Sequence, residues 1–237
     1  NNIDLRLGDC LEVMKGIEDN SIDAIITDQP YGTTACKWDS VIDFDLMWEQ
    51  LNRIIKPNGA IVLFGSEPFS SLLRCSNIKD YKYDLIWKKN IPTGFYNAKK
   101  QQLKIHENIS IFYKSQPTYN PQMVKRSEEE YKKTLRVNDS ECFNPDIYGG
   151  GRKKLIRKTA EEQKYKYPFT ICEFNTDRVY GGKKHPTMKP ILLMEYLIKT
   201  YTNENETVLD FTMGSGSTMV ACQNLNRNGI GIEQDEA

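Results

Sequence analysis

Hydrophobic residues in the first third of the chain follow two different periods. Continuous apolar runs within Asp23–Thr27 and Ala60–Phe64 are typical of strands buried in a parallel sheet. Between them, Phe44–Ile55 places apolar side chains at helical spacing, and the breaker segment Lys56–Gly59 ends the predicted helix. A strand, a helix and a strand in succession form a βαβ unit, so the pattern predicts an α/β fold with a mostly parallel sheet.

The rest of the pattern extends this sheet and interrupts it once. Further elements are predicted as strands at Tyr83–Trp87, Asn108–Tyr113, Thr207–Asp210 and Gly229–Glu233, and as helices at Ile191–Ile198 and Met219–Asn224. Between Ser115 and Gly182 the periodicity gives way to interleaved polar, basic and aromatic residues. We therefore predict an inserted segment on an α/β core.

Composition narrows the class of protein. The 237 residues are 39% hydrophobic, and no apolar run approaches the roughly 18 residues of a membrane span. The N-terminus lacks a basic segment followed by an apolar one, and the six cysteines are scattered without a C-x-x-C pair. We therefore expect a cytoplasmic protein with free thiols and no metal site.

Charge is distributed unevenly along a chain whose net charge is zero. Residues 1–80 carry 7 Lys and Arg against 13 Asp and Glu, a net charge of −6. Residues 88–126 carry 8 against 1, and residues 147–189 carry 11 against 4, which is +7 in each segment. A basic centre fits binding to a polyanion, and ordinary solvated loops explain the same charges equally well.

A glycine-rich segment follows the predicted strand that ends at Asp210. It comprises Phe211, Thr212, Met213, Gly214, Ser215, Gly216, Ser217 and Thr218. A strand, a glycine turn and a helix start can hold an anionic group, and Glu233, at the end of the next strand, is placed to accept the hydroxyls of an adenosine ribose. A dinucleotide is disfavoured because Met219 stands where its fingerprint has a third glycine, although a tight turn alone also explains the glycines.

The segment Asp28-Gln29-Pro30-Tyr31 follows the first strong strand and suggests a specific chemistry. The exocyclic amino nitrogen of a nucleobase is a poor nucleophile because its lone pair is delocalised into the ring. The Asp28 carboxylate and the carbonyl of residue 29 can accept both amino hydrogens and free that lone pair, while Tyr31 stacks on the base.

The chain resembles the β class of DNA amino-methyltransferases, in which a D-P-P-Y segment precedes the cofactor motif. The stretches that carry the resemblance are Gly8–Cys10, Asp28–Tyr31, Arg53–Gly59, His106–Tyr113, His185–Pro190, Asp210–Thr218 and Gly231–Glu233. The resemblance implies a Rossmann-like methyltransferase fold with helices on both faces of the sheet and a circularly permuted motif order. It implies a catalytic half at 1–114, a target-recognition insert at 115–182 and a cofactor-binding half at 183–237.

The resemblance also implies the cofactor, S-adenosylmethionine, and the residues that bind it. Asp9, in the stretch with Cys10, is expected at the cofactor adenine, the segment from Asp210 to Thr218 around its methionine half, and Glu233 at its ribose. Thr187 and Lys189 are expected near its carboxylate. Alternatively, Asp9 is a loop cap and Lys189 merely precedes the helix that Pro190 opens.

One residue departs from the family pattern: Gln29 replaces the first proline of D-P-P-Y. The backbone carbonyl of residue 29 survives the change, and Pro30 still favours an extended conformation before it. The missing ring predicts a looser loop, by about 0.5–1 kcal/mol of extra freedom in the unfolded chain. The Gln29 amide is also expected to compete for Asp28, so an impaired variant is an alternative.

The basic centre is expected to meet double-stranded DNA, from which the target base rotates out of the stack. Tyr31 is the expected stacking partner, with Phe95 and Tyr96 as weaker candidates. Candidate contacts to DNA phosphates are Lys88, Lys89, Lys99, Lys100 and Lys104, and candidates in the insert are Arg152, Lys153, Lys154 and Arg157. For each of these the alternative is an ordinary surface charge.

Three functions follow as hypotheses. The first is transfer of a methyl group from S-adenosylmethionine to adenine N6, with cytosine N4 as a close second, in a restriction-modification setting and with a possible homodimer. The second is a non-catalytic protein that binds DNA or the cofactor. The third, a nicotinamide-dependent oxidoreductase, fits the glycine segment poorly.

Overall fold

Strands and helices alternate along the chain much as the hydrophobic pattern predicts. The structure is a computed structural model that describes residues 2–33, 39–136, 159, 161–176 and 188–235. The elements are β1 (Ile3–Leu7), α1 (Cys10–Met14), β2 (Ile22–Thr27), α2 (Phe44–Ile54), β3 (Ile55–Gly65), α3 (Phe69–Ser76), β4 (Tyr81–Thr93), β5 (Lys104–Phe112), β6 (Val124–Lys125), α4 (Glu128–Arg136), β7 (Tyr165–Lys166), β8 (Ile171–Glu173), α5 (Ile191–Tyr201), β9 (Thr207–Asp210), α6 (Ser217–Asn224) and β10 (Asn228–Glu233).

Eight of the strands form one sheet in the order β1-β10-β9-β2-β3-β5-β4-β8. The first five strands in that order are mutually parallel, β5 is antiparallel to both of its neighbours, and β8 is parallel to β4. This mostly parallel sheet confirms the predicted Rossmann-like α/β fold. The pairing of β9 with β2 places a strand from the last third of the chain beside a strand from the first third.

Helices cover both faces of the sheet, and alternation along β2 shows how the sequence builds both layers. Ala24 and Ile26 belong to the core that contains Leu197 of α5, whereas Ile25 belongs to the core that contains Leu51 of α2. A strand buried on both faces needs apolar residues at every position, as the continuous run predicts. None of the helices in the described ranges is long and apolar enough to cross a membrane.

The segment after α2 differs from its predicted turn. β3 begins at Ile55 rather than Ala60, and its pairing with β2 jumps from Ile22 opposite Ile55 to Ala24 opposite Ala60. The residues in between therefore form a bulge within β3 rather than a turn between α2 and the strand. Lys56 stabilises the bulge through a 2.6 Å ion pair with Asp23, a contact that local sequence does not show.

The chain divides into two compact units. One comprises residues 1–120 and 170–237, and the other residues 121–169. The smaller unit contains α4 and the short antiparallel pair of β6 with β7, and Lys166 pairs with Glu130 at 2.6 Å within it. Residues 171–173 pair with β4 in the large sheet, so the smaller unit is narrower than the predicted insert at 115–182. The recognition role of the insert stays a prediction.

Close packing between α6 and β10 accounts for the methionine that replaces the third fingerprint glycine. Met219 is buried in α6, and its side chain lies over Gly229 and Gly231 of β10. A Cβ atom on Gly231 would lie 2.4 Å from the sulfur of Met213 and 3.1 Å from Cγ of Met219. The two strand glycines thus supply the close approach that a helix glycine provides in the usual fingerprint.

We expect Gly231→Ala to destabilise the fold by about 1–3 kcal/mol, the usual cost of overpacking a core. The displaced Met213 lies in the glycine segment, so cofactor affinity should fall as well. Urea unfolding and calorimetric titration with S-adenosylmethionine measure the two effects. Combining Gly231→Ala with Met213→Ala should recover part of the stability, and no difference between the single and double variants would contradict the packing argument.

Candidate active site

The carboxyl ends of β2 and β9 bring together the two segments that sequence analysis selected. The strands pair in parallel, with Ile25 opposite Leu209, so the loops after Thr27 and Asp210 leave the sheet side by side. The Thr27 hydroxyl donates to Asp210 Oδ1 at 3.0 Å and accepts from the backbone N–H of Phe211 at 3.0 Å. Ligand sites in open α/β sheets lie at such strand ends.

The Asp28 carboxylate lies within a group of charged side chains. Its Oδ1 accepts a hydrogen bond from the Tyr31 hydroxyl, and its Oδ2 pairs with the Lys189 ammonium. Lys189 Nζ also lies 3.4 Å from Oε2 of Glu107, and Oε1 of Glu107 pairs with the Lys89 ammonium. We name Asp28, Lys189, Glu107 and Lys89 the charge cluster. Two carboxylates and two ammonium groups thus lie partly buried at the predicted catalytic segment (Asp28–Tyr31, called the catalytic segment below).

The charge cluster sets the protonation of its members. Burial alone lowers the pKa of Lys189, but the carboxylates of Asp28 and Glu107 outweigh it, so that this pKa is raised. Burial, Asp28 and Glu107 together hold the pKa of Tyr31 well above its usual value. Burial raises the pKa of Glu107, and the two lysines more than reverse this, so it lies below its usual value. Lys189 is therefore an ammonium and Tyr31 a neutral hydrogen-bond donor at neutral pH.

The glycine segment is braced by a buried acid. Asp210 is 3% exposed, and Thr218 donates to its Oδ2 at 2.5 Å. Gly214 and Gly216 adopt φ of +52° and +76°, which L side chains rarely reach, and a Cβ on either would meet nothing within 4 Å. The Thr212 hydroxyl donates to the backbone carbonyl of Asp28 at 3.3 Å and ties this segment to the catalytic one. Hydrogen bonds to the buried Asp210 carboxylate therefore hold the glycine segment in place, while the two glycines of that segment face open space.

Some of the remaining residues predicted to bind the cofactor border the glycine segment, and others have structural contacts. Glu233 ends β10 and accepts the backbone N–H of Gly214 at 2.8 Å, so its carboxylate borders the glycine segment. Asp9 caps α1 by accepting the N–H groups of Leu11 and Glu12, as its alternative role predicts. Cys10 begins that helix, and burial followed by the charge of Asp9 raises the pKa of its thiol to about 11. Phe211 is buried, and Ser215 and Ser217 share a hydrogen bond at 3.4 Å.

Comparison with known proteins decides the family. A sequence model of the family described as DNA methylase matches residues 22–237. The chain belongs to this family. The methylase is 29% identical over 246 residues to the Type II methyltransferase M.HpaI of Haemophilus parainfluenzae, a match covering 98% of this chain and 70% of that protein. It is 26% identical over 260 residues to the Type II methyltransferase M2.MboI of Moraxella bovis, covering 99% of this chain and 84% of that protein.

Solved structures agree with the fold of the methylase. A crystal structure of an M1.HpyAVI–SAM complex matches with a TM-score of 0.62 and 26% identity, covering 99% of this chain and 94% of that one. The PvuII DNA methyltransferase, described as cytosine-N4-specific, matches with a TM-score of 0.68 and 16% identity, covering 99% and 83%. The family contains enzymes for adenine N6 and for cytosine N4, so membership leaves the target base open.

The Gln29 side chain takes a partner that the sequence did not suggest. Its Nε2 donates to the backbone carbonyl of Phe64 in β3 at 3.0 Å, rather than to Asp28, and the residue is 3% exposed. This hydrogen bond ties the catalytic segment to the sheet at the position where the family has a proline ring. The expected competition for Asp28 is therefore wrong, because Asp28 is paired with Tyr31 and Lys189 instead.

The candidate DNA contacts of the methylase are not equivalent. Lys99 and Lys100 are exposed, as are Phe95 and Tyr96. Lys88 pairs with Glu173, Lys104 donates to Ser66, and the Lys89 side chain is only 13% exposed beside Glu107. Five predicted site residues lie outside the described residues, namely Arg152, Lys153, Lys154, Arg157 and Thr187. Contacts to DNA stay predictions for all of these lysines and arginines.

Sequence reasoning missed three polar residues that organise the site. Thr27 joins the two loops, Glu107 lies in the charge cluster, and Asp39 accepts the backbone N–H groups that follow Pro30. Those groups belong to Tyr31, Gly32 and Thr33, at 2.8 to 2.9 Å from the carboxylate. An acidic residue shortly after a glycine turn is a weak signal for such a loop, whereas no local pattern indicates Glu107 or Thr27.

We expect the folding stability to depend on pH through the protonation of the buried Asp210 carboxyl. Burial raises its pKa to about 6, partly offset by hydrogen bonds from Thr218 and Thr27. Since the folded protein then binds the proton more tightly than the unfolded chain, the contribution of Asp210 to stability is fully present below pH 3.8 and is lost as pH rises through about 6. The loss is about 3 kcal/mol for a shift of this size.

Asp210→Asn removes this titration, and urea unfolding at pH 4 and pH 7 measures its effect. Relative to the unchanged chain, the variant should gain about 2–3 kcal/mol of unfolding free energy between the two pH values. The other carboxyl groups titrate in both proteins, so their contributions to the pH dependence cancel in that difference. A difference that does not vary with pH would show that Asp210 is not buried in the described way.

Proposed function

We propose that this methylase transfers a methyl group to N6 of adenine in double-stranded DNA, acting on a base rotated out of the duplex. The position of Asp28 carries the proposal: its carboxylate follows β2 beside the glycine segment after β9, with Thr212 bound to its backbone carbonyl. The proposed amino-group acceptor and the proposed cofactor-binding loop thus lie at the ends of two neighbouring strands. Asp at this position and the order of the motifs favour adenine by resemblance to the family.

S-adenosylmethionine is the methyl donor of the family and of this chain, and it supplies an electrophilic methyl group on a positively charged sulfur. The residues present fit it. Gly214 and Gly216 leave open space where any other residue would place a Cβ atom. Glu233 presents a carboxylate at the end of the neighbouring strand, beside Gly214, where ribose hydroxyls can be accepted. We propose these residues as the core of the cofactor site.

The chemistry of this chain is positioning of the amino group. A carboxylate offers about four lone pairs, of which Tyr31 and Lys189 use two on Asp28, so the group still has acceptors for an amino hydrogen. With the residue-29 carbonyl as second acceptor, the nitrogen lone pair turns from the ring toward the methyl carbon. A bound cofactor would supply the electrophilic methyl group, and its sulfur would leave with the electron pair of the broken carbon–sulfur bond. The two acceptors of this chain would hold the amino group during the transfer, and the methylated nitrogen would then lose a proton to water.

Two alternatives stay open, each with its own support. Cytosine N4 methylation uses the same acceptors, and the structural likeness to the cytosine-N4-specific PvuII enzyme is consistent with it. A non-catalytic protein is the second alternative, because Gln29 departs from the family tetrapeptide. The anchor from Gln29 to the Phe64 carbonyl favours an active enzyme over this alternative.

We expect the purified chain to transfer labelled methyl groups from S-adenosylmethionine to unmethylated genomic DNA. Mass spectrometry of the digested DNA should find N6-methyladenine. Finding N4-methylcytosine instead would establish the cytosine alternative, and no methylated base would contradict both. Asp28→Asn keeps the shape of the side chain and removes its charge, so it should lower kcat by about 10²–10³-fold, as loss of a key electrostatic group does.

The role of Gln29 predicts an order among three proteins. Gln29→Pro restores the family residue and should change kcat little, because the ring replaces the anchor to Phe64. Gln29→Ala removes both restraints and should lower kcat by up to about tenfold, as expected from losing one hydrogen bond worth about 1 kcal/mol. Single-turnover rates with saturating cofactor and DNA provide the measurement. A large gain in rate for Gln29→Pro would instead identify the chain as an impaired variant.

A further inference from the structure

Glu107 connects two ammonium groups through its two oxygens. Oε1 pairs with Lys89 Nζ, and Oε2 lies 3.4 Å from Lys189 Nζ. The Glu107 side chain is only 13% exposed, and so is that of Lys89. Lys189 is 10% exposed and pairs with Asp28 on its other side. The Lys189 ammonium therefore lies between two carboxylates, one in the catalytic segment and one in β5.

Backbone pairing fixes Glu107 in this place. Glu107 lies opposite Trp87 in the antiparallel ladder of β4 with β5, and the Lys89 ammonium lies over the Trp87 ring at 4.9 Å from its centroid. The Lys189 ammonium lies 5.2 Å from the centroid of Phe64. Two rigid strands thus hold the carboxylate, and aromatic rings cover both ammonium groups. Exposed ion pairs lack this restraint and contribute little.

The environment of Lys189 shows why a second carboxylate matters. With Asp28 as its sole partner, the buried Lys189 ammonium would be held from one side only. Glu107 draws the ammonium from the opposite side and shares its charge. Among the described residues, the other titratable groups near the cluster are Tyr31 and Asp210 beside Asp28, Asp39 near Tyr31, and Lys104, which interacts with Glu107, Lys89 and Glu67.

We propose that Glu107 is a positioning residue for methyl transfer, which holds the Lys189 ammonium between two carboxylates and so fixes the orientation in which Asp28 presents its free lone pairs to the target amino group. The inference rests on the proposed function, since it assigns Asp28 the acceptor role. Glu107 touches neither base nor cofactor in this role and acts through Lys189. The simpler alternative is that Glu107 only neutralises Lys89.

A double-substitution cycle separates these two roles. Glu107→Gln keeps the size of the side chain and leaves the charge cluster with one excess positive charge, whereas adding Lys89→Gln restores neutrality. Single-turnover methyl transfer is measured at saturating DNA and cofactor for the unchanged chain, both single variants and the double variant. Glu173→Gln serves as the matched control, because it breaks the exposed 2.9 Å pair with Lys88 one residue from Lys89.

We expect Glu107→Gln to slow methyl transfer at least about tenfold, because a small misplacement of a reacting group lowers the rate by one to two orders of magnitude. The double variant should recover none of that loss, and Glu173→Gln should stay within twofold of the unchanged chain. A rate for Glu107→Gln within twofold of the unchanged chain overturns the inference. So does recovery of the double variant to the rate of Lys89→Gln, because Glu107 would then serve only to neutralise Lys89.

A second readout needs no turnover. Titration of ¹³C-labelled lysines by NMR in the cofactor-free protein, with Lys189 assigned from the spectrum of Lys189→Arg, reports the charge around its ammonium. The titration midpoint of Lys189 should fall in Glu107→Gln and in the double variant, and stay unchanged in Glu173→Gln. An unchanged midpoint in Glu107→Gln overturns the inference alone. Absence of methyl transfer by the unchanged chain overturns the proposed function, and the inference with it.

Discussion

The parallel pairing of β2 with β9 is the constraint on which the site depends. It places Thr27 beside Asp210, although 182 residues separate them in the chain. The hydrogen bond between these side chains, together with that from Thr212 to the Asp28 carbonyl, turns two loop ends into one rigid surface. Methyl transfer needs the methyl carbon and the accepting nitrogen to lie about 3–3.5 Å apart and in line. The proposed chemistry therefore requires a rigid surface.

Electrostatic balance is the second condition at this surface. The charge cluster combines two carboxylates and two ammonium groups, and removing one partner of such a buried pair leaves an uncompensated charge that is strongly destabilising. The arrangement allows a carboxylate to stay available in a partly buried site without an isolated charge. The Tyr31 hydroxyl, kept neutral by its raised pKa, adds a donor to Asp28 rather than another charge.

Two departures from sequence motifs, one from the dinucleotide fingerprint and one from the family tetrapeptide, are each compensated by tertiary contacts. Met219 replaces a fingerprint glycine, and Gly229 and Gly231 on β10 make room for its side chain. Gln29 replaces a proline, and its amide bonds the Phe64 carbonyl on β3. In both places the residue departs from its motif, and a neighbouring strand compensates, by making room in the first case and by accepting a hydrogen bond in the second. Substitutions of this kind cannot be judged from the motif alone.

The hydrophobic pattern was sufficient to predict an α/β fold, most of its strands and both loops of the site, because strand and helix periods are local properties and turn residues mark the ends of elements. The motif Asp28–Tyr31 and the glycine segment are likewise short, so a few consecutive residues are enough to indicate their chemistry. The strand order, the bulge at Lys56 and the contacts of Glu107 and Thr27 depended on the tertiary structure. These contacts join residues far apart in the chain, and a side chain's partner across a sheet leaves no periodic signal in its own neighbourhood.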